Sequence, residues 1–505
     1  MGLTKSDLNG QFVLTQDAQF IPEQWHVQEK NAWLLGTHPS LPITHVYVAN
    51  GSHIGWIIGY SITPSGDFCP SQLCFPVDLH EPNQEKIIET NLYEIGGRFA
   101  AIFFTDSFSR FYLDPSGLLA TVYSENIPLV ASTPSLIDSN GHDWDEEIIK
   151  ILRMPNSGLW YPSGLTPKKN VARLLPNHFL DLSNWKSVRH WPKSPKDLVQ
   201  GKKEDLVKTI FHALKHNISS VTNHYPLHIS ITAGRDSRML LASILENREK
   251  ILFVTFSCSS VDSHIAKKIV YKYGLNHIFI DSEYFNTNQR EDWLYRTGYC
   301  SSPSGSIGYL PHLDANRALL NGIGGEVGRS FYWRQRDKTK KYIDAKELLH
   351  RCHIPADGKI LKKMQDWLLE VADFNVYAIL DLMYLEQRLG CWAAPEQYGG
   401  DNCSISMLSP FSDRKIFESM LRLPIEYRWK QQLAFDICQM ADTELASLPF
   451  NDFAGSLKYP KRMIHFFTNT VPYKTKLVMT RPDIIQRFLR SLPSIIRVDL
   501  KQVKR

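Results

Sequence analysis

The run His228-Ile229-Ser230-Ile231-Thr232-Ala233-Gly234-Arg235-Asp236-Ser237-Arg238-Met239-Leu240-Leu241-Ala242 constrains the fold of this chain more than any other stretch. It reads as a short apolar strand, a tight turn and a helix. The turn holds Thr232, Ala233, Gly234, Asp236 and Ser237, mostly small residues that let backbone approach a ligand closely. The helix behind it aims unpaired N–H groups and a positive dipole end at the turn, which suits pyrophosphate. A plain strand-to-helix turn with a solvated Arg235–Asp236 pair is the simpler alternative, and the neighbouring stretches weigh against it.

Lys250-Ile251-Leu252-Phe253-Val254-Thr255-Phe256-Ser257 is almost continuously apolar, as a parallel strand covered on both faces would be. Asp262–Val270 predicts a helix with an acidic start, closing near Tyr273-Gly274-Leu275, and His277–Ile280 predicts another strand. Strand, helix, strand, helix, strand implies an α/β fold with a doubly wound parallel sheet. Leu198–Asn217 has helical spacing and feeds the first of these strands. From Leu361 onward helical patterns dominate, and regular spacing puts Asp381, Tyr384 and Arg388 on one helical face.

Residues from about 10 to 200 read differently. Val46-Tyr47-Val48, Ile54–Ile62 and Phe99–Phe104 are rich in β-formers and are separated by Gly, Pro, Ser and Asn. Helical periodicity shows only near Pro82–Tyr93 and Glu146–Leu152. The Pro- and Lys-rich stretch Asn184–Lys196 predicts a linker. The expected organisation is therefore two domains, 1–195 and 196–505, in a chain long enough for several cores.

A second turn-rich stretch is Leu320-Asn321-Gly322-Ile323-Gly324-Gly325-Glu326-Val327-Gly328-Arg329. Small turns with a carboxylate at a sheet edge suit a phosphate–Mg2+ site. Arg329, Arg334 and Arg336 follow, and could neutralise phosphate or a substrate carboxylate; a basic surface loop is the plain reading. Between the two turns, Cys300–His312 reads as a flexible loop.

Together these motifs resemble the asparagine synthetase superfamily. The first turn is similar to its PP-loop, usually Ser-Gly-Gly-x-Asp-Ser, with Thr232 and Ala233 replacing the first two residues. The second is similar to Ser-Gly-x-Gly-Ser-Asp-Glu, with Asn321 for the Ser and Glu326 for the first acid. Ser409-Pro410-Phe411-Ser412-Asp413 resembles the family's Pro-Phe-Leu-Asp. Upstream, Gly96–Ile102, Arg110–Gly117, Val122-Tyr123, Leu129–Pro134, Leu165–Pro167 and Arg173–His178 occur in the order of the glutamine amidotransferase (Ntn-type) domain, a sandwich of two antiparallel sheets.

The resemblance implies an ATP-dependent carbon–nitrogen ligase of the PP-loop ATP pyrophosphatase type with extra helices. ATP would bind through Ser230, Thr232, Ala233, Gly234, Arg235, Asp236, Ser237, Phe256, Ser257, Asn321, Gly322 and Gly324, and Asp236 and Glu326 would hold Mg2+. A substrate carboxylate would be adenylated with release of pyrophosphate, and an amine would displace AMP. Two departures matter. The family's glutaminase uses a Cys after the initiator Met, whereas position 2 is Gly2, so the upstream domain is expected not to release ammonia from glutamine. Where family members carry Glu or Tyr as an acid–base group, this chain has Ile323; Tyr384 or Glu386 could supply the missing group. The catalytic Lys is placed at Lys458, with Lys461 the alternative. The expected partners are a carboxylate substrate and an amine on a small molecule, peptide or glycan precursor. The alternatives are a glutamine- or ammonia-dependent synthetase and a nucleotide-binding scaffold without turnover.

The composition, 43% hydrophobic and 22% charged residues, is that of an ordinary soluble globular chain. No apolar run approaches the roughly 18 residues of a membrane span. A net charge of +5 does not call for nucleic acid, although Lys461–Arg505 concentrates the basic excess and could hold an acidic partner. The eight cysteines are scattered, and with no signal-peptide core at Met1–Ser6 they are expected to be reduced thiols in a cytoplasm.

Overall fold

The alternating and continuous apolar runs form two antiparallel sheets and one parallel sheet in the computed structural model of the chain, which describes residues 3–137, 143–256, 260–281, 285–303, 310–402 and 406–450. The first sheet comprises β1 (Phe12–Thr15), β2 (His26–Lys30), β3 (Trp33–Thr37), β9 (Val122–Ser124), β10 (Leu129–Ala131) and β11 (Val171–Arg173), in the order β11-β9-β10-β1-β3-β2. The second comprises β4 (Ile43–Val48), β5 (His53–Ile62), β6 (Gln72–Phe75), β7 (Gly96–Phe104), β8 (Ser109–Leu113), β12 (His178–Asp181) and β13 (Lys186–Arg189), in the order β13-β12-β8-β7-β5-β4-β6.

Alternation within the strands fixes how these sheets pack. Val13 points to an outer cluster with Trp25, Leu129 and Leu136, so its neighbours Phe12 and Leu14 face the other sheet. There Phe12 stacks on Phe111 of β8 with ring centroids 5.7 Å apart, a contact adding about 1 kcal/mol beyond area burial. Ala101 and Phe103 of β7 turn outward and are covered by Ile88 and Leu92 of the helix Gln84–Tyr93. Gly97 has φ +116°, and a Cβ there would stand 2.0 Å from the Tyr60 carbonyl oxygen, so only glycine lets β5 and β7 meet at this point.

The third sheet is parallel and drawn from later residues: β14 (Leu227–Ser230), β15 (Ile251–Phe256), β16 (His277–Ile280), β17 (Ala318–Leu320) and β18 (Met407–Leu408). Its order, β16-β15-β14-β17-β18, runs outward in both directions from β14. Leu227, Ile229, Phe253, Val254, Leu319 and Leu320 are all buried, as strands covered on both faces require. The helix Lys203–Thr222 leads into β14, and the helix Arg235–Ile244 leaves it. On one face Val254, Leu319 and Met407 pack against Trp293 and Leu294 of the helix Thr287–Arg296.

The expected linker is a correction. Lys186–Arg189 is not a linker but the edge strand β13, paired antiparallel with β12 from Asp181↔Lys186 to His178↔Arg189. Its side chains are mostly exposed, which explains why its composition reads as a loop. The sheets lie within residues 1–448, which form one unit; the second unit, 449–505, is described only at Pro449 and Phe450. Gly2, Ser257, the Lys461–Arg505 tail and the expected lysine Lys458 therefore lie outside the described residues. No helix among the described residues is long and apolar enough to cross a membrane, and the described cysteines are all free thiols.

A polar seam joins the two-sheet portion to the parallel-sheet portion, and the upstream motifs lie along it. Arg98 donates to both oxygens of Asp401 at 3.1 and 2.8 Å. Asp114 accepts N–H groups of Ser116, Leu118 and Leu119 and the Ser412 hydroxyl. Gly97 N–H donates to the Ser412 carbonyl at 2.8 Å. Asn177 receives Arg414 on its oxygen and donates to Glu386.

Candidate active site

Strands β14 and β17 are parallel neighbours, with Ile229 opposite Leu320. Their carboxyl ends therefore open side by side, at the point where the strand order reverses. In open parallel sheets that crevice is where ligands bind. The turn Thr232–Ser237 follows β14 and the turn Asn321–Glu326 follows β17.

The first turn is closed by its own hydroxyls. Thr232 Oγ1 accepts Gly234 N–H at 2.9 Å and lies 2.9 Å from Ser237 Oγ, so threonine in place of serine keeps a working hydroxyl. Ala233 N–H donates to Asp262 Oδ1 at 2.9 Å, so the acid at the start of the next helix also holds this turn, a pairing that local spacing does not show. The helix Arg235–Ile244 opens behind Gly234 without a side-chain cap. Ser230 is half-buried at the end of β14, and Phe256, at the end of β15, packs on the cluster around Trp293.

The second turn presses on the first. A Cβ at Gly322 would stand 2.7 Å from Asp236 Cβ, and one at Gly325 would stand 2.6 Å from Asp236 Oδ1. Gly324 has φ +96° and abuts Phe411 and Phe417. Asn321 holds the bend: its Oδ1 accepts Ile323 N–H at 3.2 Å, and its own N–H donates to the Leu408 carbonyl. Ser409 donates to the Ile323 carbonyl, so the Ser409–Asp413 motif buttresses this turn.

Asp236 and Glu326 meet on one cation. Arg329 Nη2 donates to Asp236 Oδ2 at 2.7 Å and lies 3.3 Å from Glu326 Oε1. Three buried atoms here have no hydrogen-bond partner among the described residues: Asp236 Oδ1, Glu326 Oε2 and Asn321 Nδ2. Asp236 Oδ1 and Glu326 Oε2 are the two carboxylate oxygens among the buried side-chain atoms left without a hydrogen-bond partner in the described residues, so acceptor capacity is concentrated here. Desolvation pushes the Asp236 carboxyl up to about 7; Arg329 opposes this and Glu326 adds to it.

Tyr384 is buried behind Glu326, with its hydroxyl against that carboxylate. Desolvation first, and Glu326 second, hold its pKa well above the usual phenol value. Its phenol therefore keeps its proton. Its ring packs on Phe331 at 4.8 Å. Arg388 is faced by Trp392, Phe331 and Trp160 at 4.4, 5.3 and 5.4 Å. Nearby, desolvation pushes the Glu396 carboxyl up to about 8, with Arg388 and Ser301 opposing. The aromatic run Phe331-Tyr332-Trp333, one residue beyond Arg329, is the sequence signal for this wall, and periodicity alone does not reveal it.

Two expectations change. Met383–Ala393 is a π-helix; Tyr384 and Arg388 still share a face against Phe331, while Asp381 lies in the regular helix Val376–Leu382 before it. Asp381 pairs with Arg428 at 2.7 Å and with the Trp333 indole at 3.0 Å, away from the turns. Glu386 is wholly buried elsewhere, accepting from Asn177, from both Arg189 nitrogens and from Trp367 at 2.6–2.9 Å. With four donors it is a structural anchor rather than an acid–base group. Burial alone would raise its pKa, but the Arg189 guanidinium and Asn177 amide outweigh that and hold it below the usual range. Arg336 is taken by Glu347 at 3.1 Å; of the three arginines, Arg329 is the one on the carboxylate pair.

No cluster of three or more metal-ligating side chains occurs among the described residues. Two carboxylates suffice for Mg2+, which commonly takes one or two from protein and the rest from phosphate and water. The orphaned oxygens of Asp236 and Glu326 fit that role. The chain matches no protein-family model and no curated protein.

Proposed function

We propose that this chain is an ATP-dependent ligase of the asparagine synthetase type, which adenylates a carboxylate, releases pyrophosphate and AMP, and joins the acyl group to an amine. The observation that carries the reading is the convergence of Asp236 and Glu326 on one guanidinium, at the reversal point of the parallel sheet. In this reading the Thr232–Ser237 turn receives the departing pyrophosphate, whose charge its backbone N–H groups offset. Asp262 gives up the Ala233 N–H to it. Asp236 and Glu326 would hold Mg2+, which would neutralise phosphate charge. Tyr384 orients Glu326, and Gly322 and Gly325 let the two turns close on each other. The upstream two-sheet portion acts as a brace in this reading, since its motifs are spent on the seam. The amine then comes from the substrate or a second molecule, such as a peptide or glycan precursor.

The test is exchange of labelled pyrophosphate into ATP, run with panels of amino acids, peptides and uronic acids. Exchange that depends on one carboxylate class, and is lost in Asp236→Asn, supports the reading; no exchange with any carboxylate sinks it. One observation favours a nucleotide-binding scaffold instead. Ile323 carries no acid–base group, and the four donors on Glu386 remove one of its two replacements.

A further inference from the structure

We propose that Arg329 is a resident cation on the Asp236–Glu326 pair, displaced onto phosphate when a metal–polyphosphate complex binds, so that divalent metal alone enters poorly. The inference rests on reading this site as one for metal and nucleotide.

The geometry sets the conflict. One nitrogen, Arg329 Nη2, serves Asp236 Oδ2 at 2.7 Å and Glu326 Oε1 at 3.3 Å. That is where a divalent ion shared by the two carboxylates would draw their oxygens. All three side chains are mostly buried, with 15% of Asp236, 22% of Glu326 and 23% of Arg329 exposed. Arg329 offsets one of two negative charges, and the remaining oxygens, Asp236 Oδ1 and Glu326 Oε2, are unpartnered. The pair is thus only partly neutralised, which leaves it attractive to a dication while Arg329 Nη2 occupies the position between its oxygens.

Moving Arg329 aside for a bare metal ion strands a partly buried guanidinium, which is costly. A polyphosphate removes that cost, because its oxygens match a guanidinium fork. Arg329 directly follows the short 3-10 turn Gly325–Gly328, outside the sheet, so a rearrangement of its side chain does not require one of β17. Charge balance agrees: with the guanidinium retained nearby and the metal added, the site becomes net positive, which suits a polyanion. Metal and nucleotide then bind as one unit, and Arg329 acts as a positioning residue for phosphate.

The experiment measures binding of Mn2+ alone, and of Mn2+ with α,β-methylene-ATP, to the full chain by electron paramagnetic resonance and calorimetry. Arg329→Met is expected to tighten Mn2+ alone by tenfold or more and to weaken the Mn2+–nucleotide complex by a similar factor. Opposite signs are the signature. A guanidinium that only repels the ion would, on removal, tighten both; one that only supports the fold would weaken both; either result overturns the proposal. Arg329→Lys keeps the charge and is expected to shift both affinities in the same directions by smaller factors. Unchanged affinities in that variant would also overturn it. The readout is independent of turnover. Opposite signs without pyrophosphate exchange would defeat the ligase reading and leave this inference standing. Exchange with same-sign shifts would do the reverse.

Discussion

At the seam, Glu386 is fully buried against Arg189 and accepts four hydrogen bonds from three residues. At the ends of β14 and β17, Glu326 shares one nitrogen of Arg329 with Asp236 and keeps one oxygen unpartnered. Both are carboxylates facing an arginine, and both were candidates for chemistry on sequence grounds. The difference lies in satisfaction. A buried charge with every lone pair used is committed to the fold, because any movement leaves it exposed to an apolar surround. A pair that is only partly satisfied has capacity left for a ligand. Completeness of hydrogen bonding, more than burial or charge, separates brace from site in this molecule.

The sharpest way to break that comparison is to remove each acid. Glu386→Ala should cost about 3–5 kcal/mol in urea unfolding, since it leaves Arg189, which is 9% exposed, with only the longer 3.4 Å contact to Glu370 and removes the acceptor of Asn177 and Trp367. Glu326→Gln should cost less than about 1 kcal/mol and abolish pyrophosphate exchange, because its loss strands no saturated network. Equal destabilisation by both would erase the distinction. Next in size is Gly325→Ala, whose new methyl would meet Asp236 Oδ1 at 2.6 Å and Cγ at 2.8 Å. Overpacking of this kind costs about 1–3 kcal/mol and should also weaken nucleotide binding, measured by calorimetry on the same sample. Normal binding would mean that the turns need not touch.

The smallest expected effect sharpens the contrast from the sheet's edge. His277 on β16 bonds Thr255 at 2.8 Å, and burial pushes its pKa down to about 4. The folded state favours the neutral ring, so this contribution is whole above about pH 6.5 and drains away as pH falls toward 4. His277→Gln should therefore remove on the order of 1 kcal/mol of acid sensitivity between those values, screening of the half-exposed ring included. Thermal unfolding across that range checks it; identical pH slopes would count against it.

Much of this was legible in the chain, for physical reasons. Continuous apolar runs at Ile251–Phe256 and His277–Ile280 mark parallel strands because both faces are covered, and the small residues of the two turns mark close backbone approach. The strand Lys186–Arg189 was not legible, because an edge strand with exposed side chains has the composition of a loop. Nor was Asp262 on the Ala233 amide, or Arg189 on Glu386, since neither pairing follows from local spacing. Of the face expected for Asp381, Tyr384 and Arg388, the last two stay together against Phe331, while Asp381 goes to Arg428, a pairing with a distant residue that local spacing does not show.

The claim beneath all of this is that the two turns form one metal–nucleotide site through Asp236. Calorimetric titration of the full chain with α,β-methylene-ATP and Mg2+ tests it most directly. The account predicts one binding event per chain, weakened at least tenfold by Asp236→Asn in protein that unfolds like wild type. No binding by wild type, or equal binding by the variant, would contradict it.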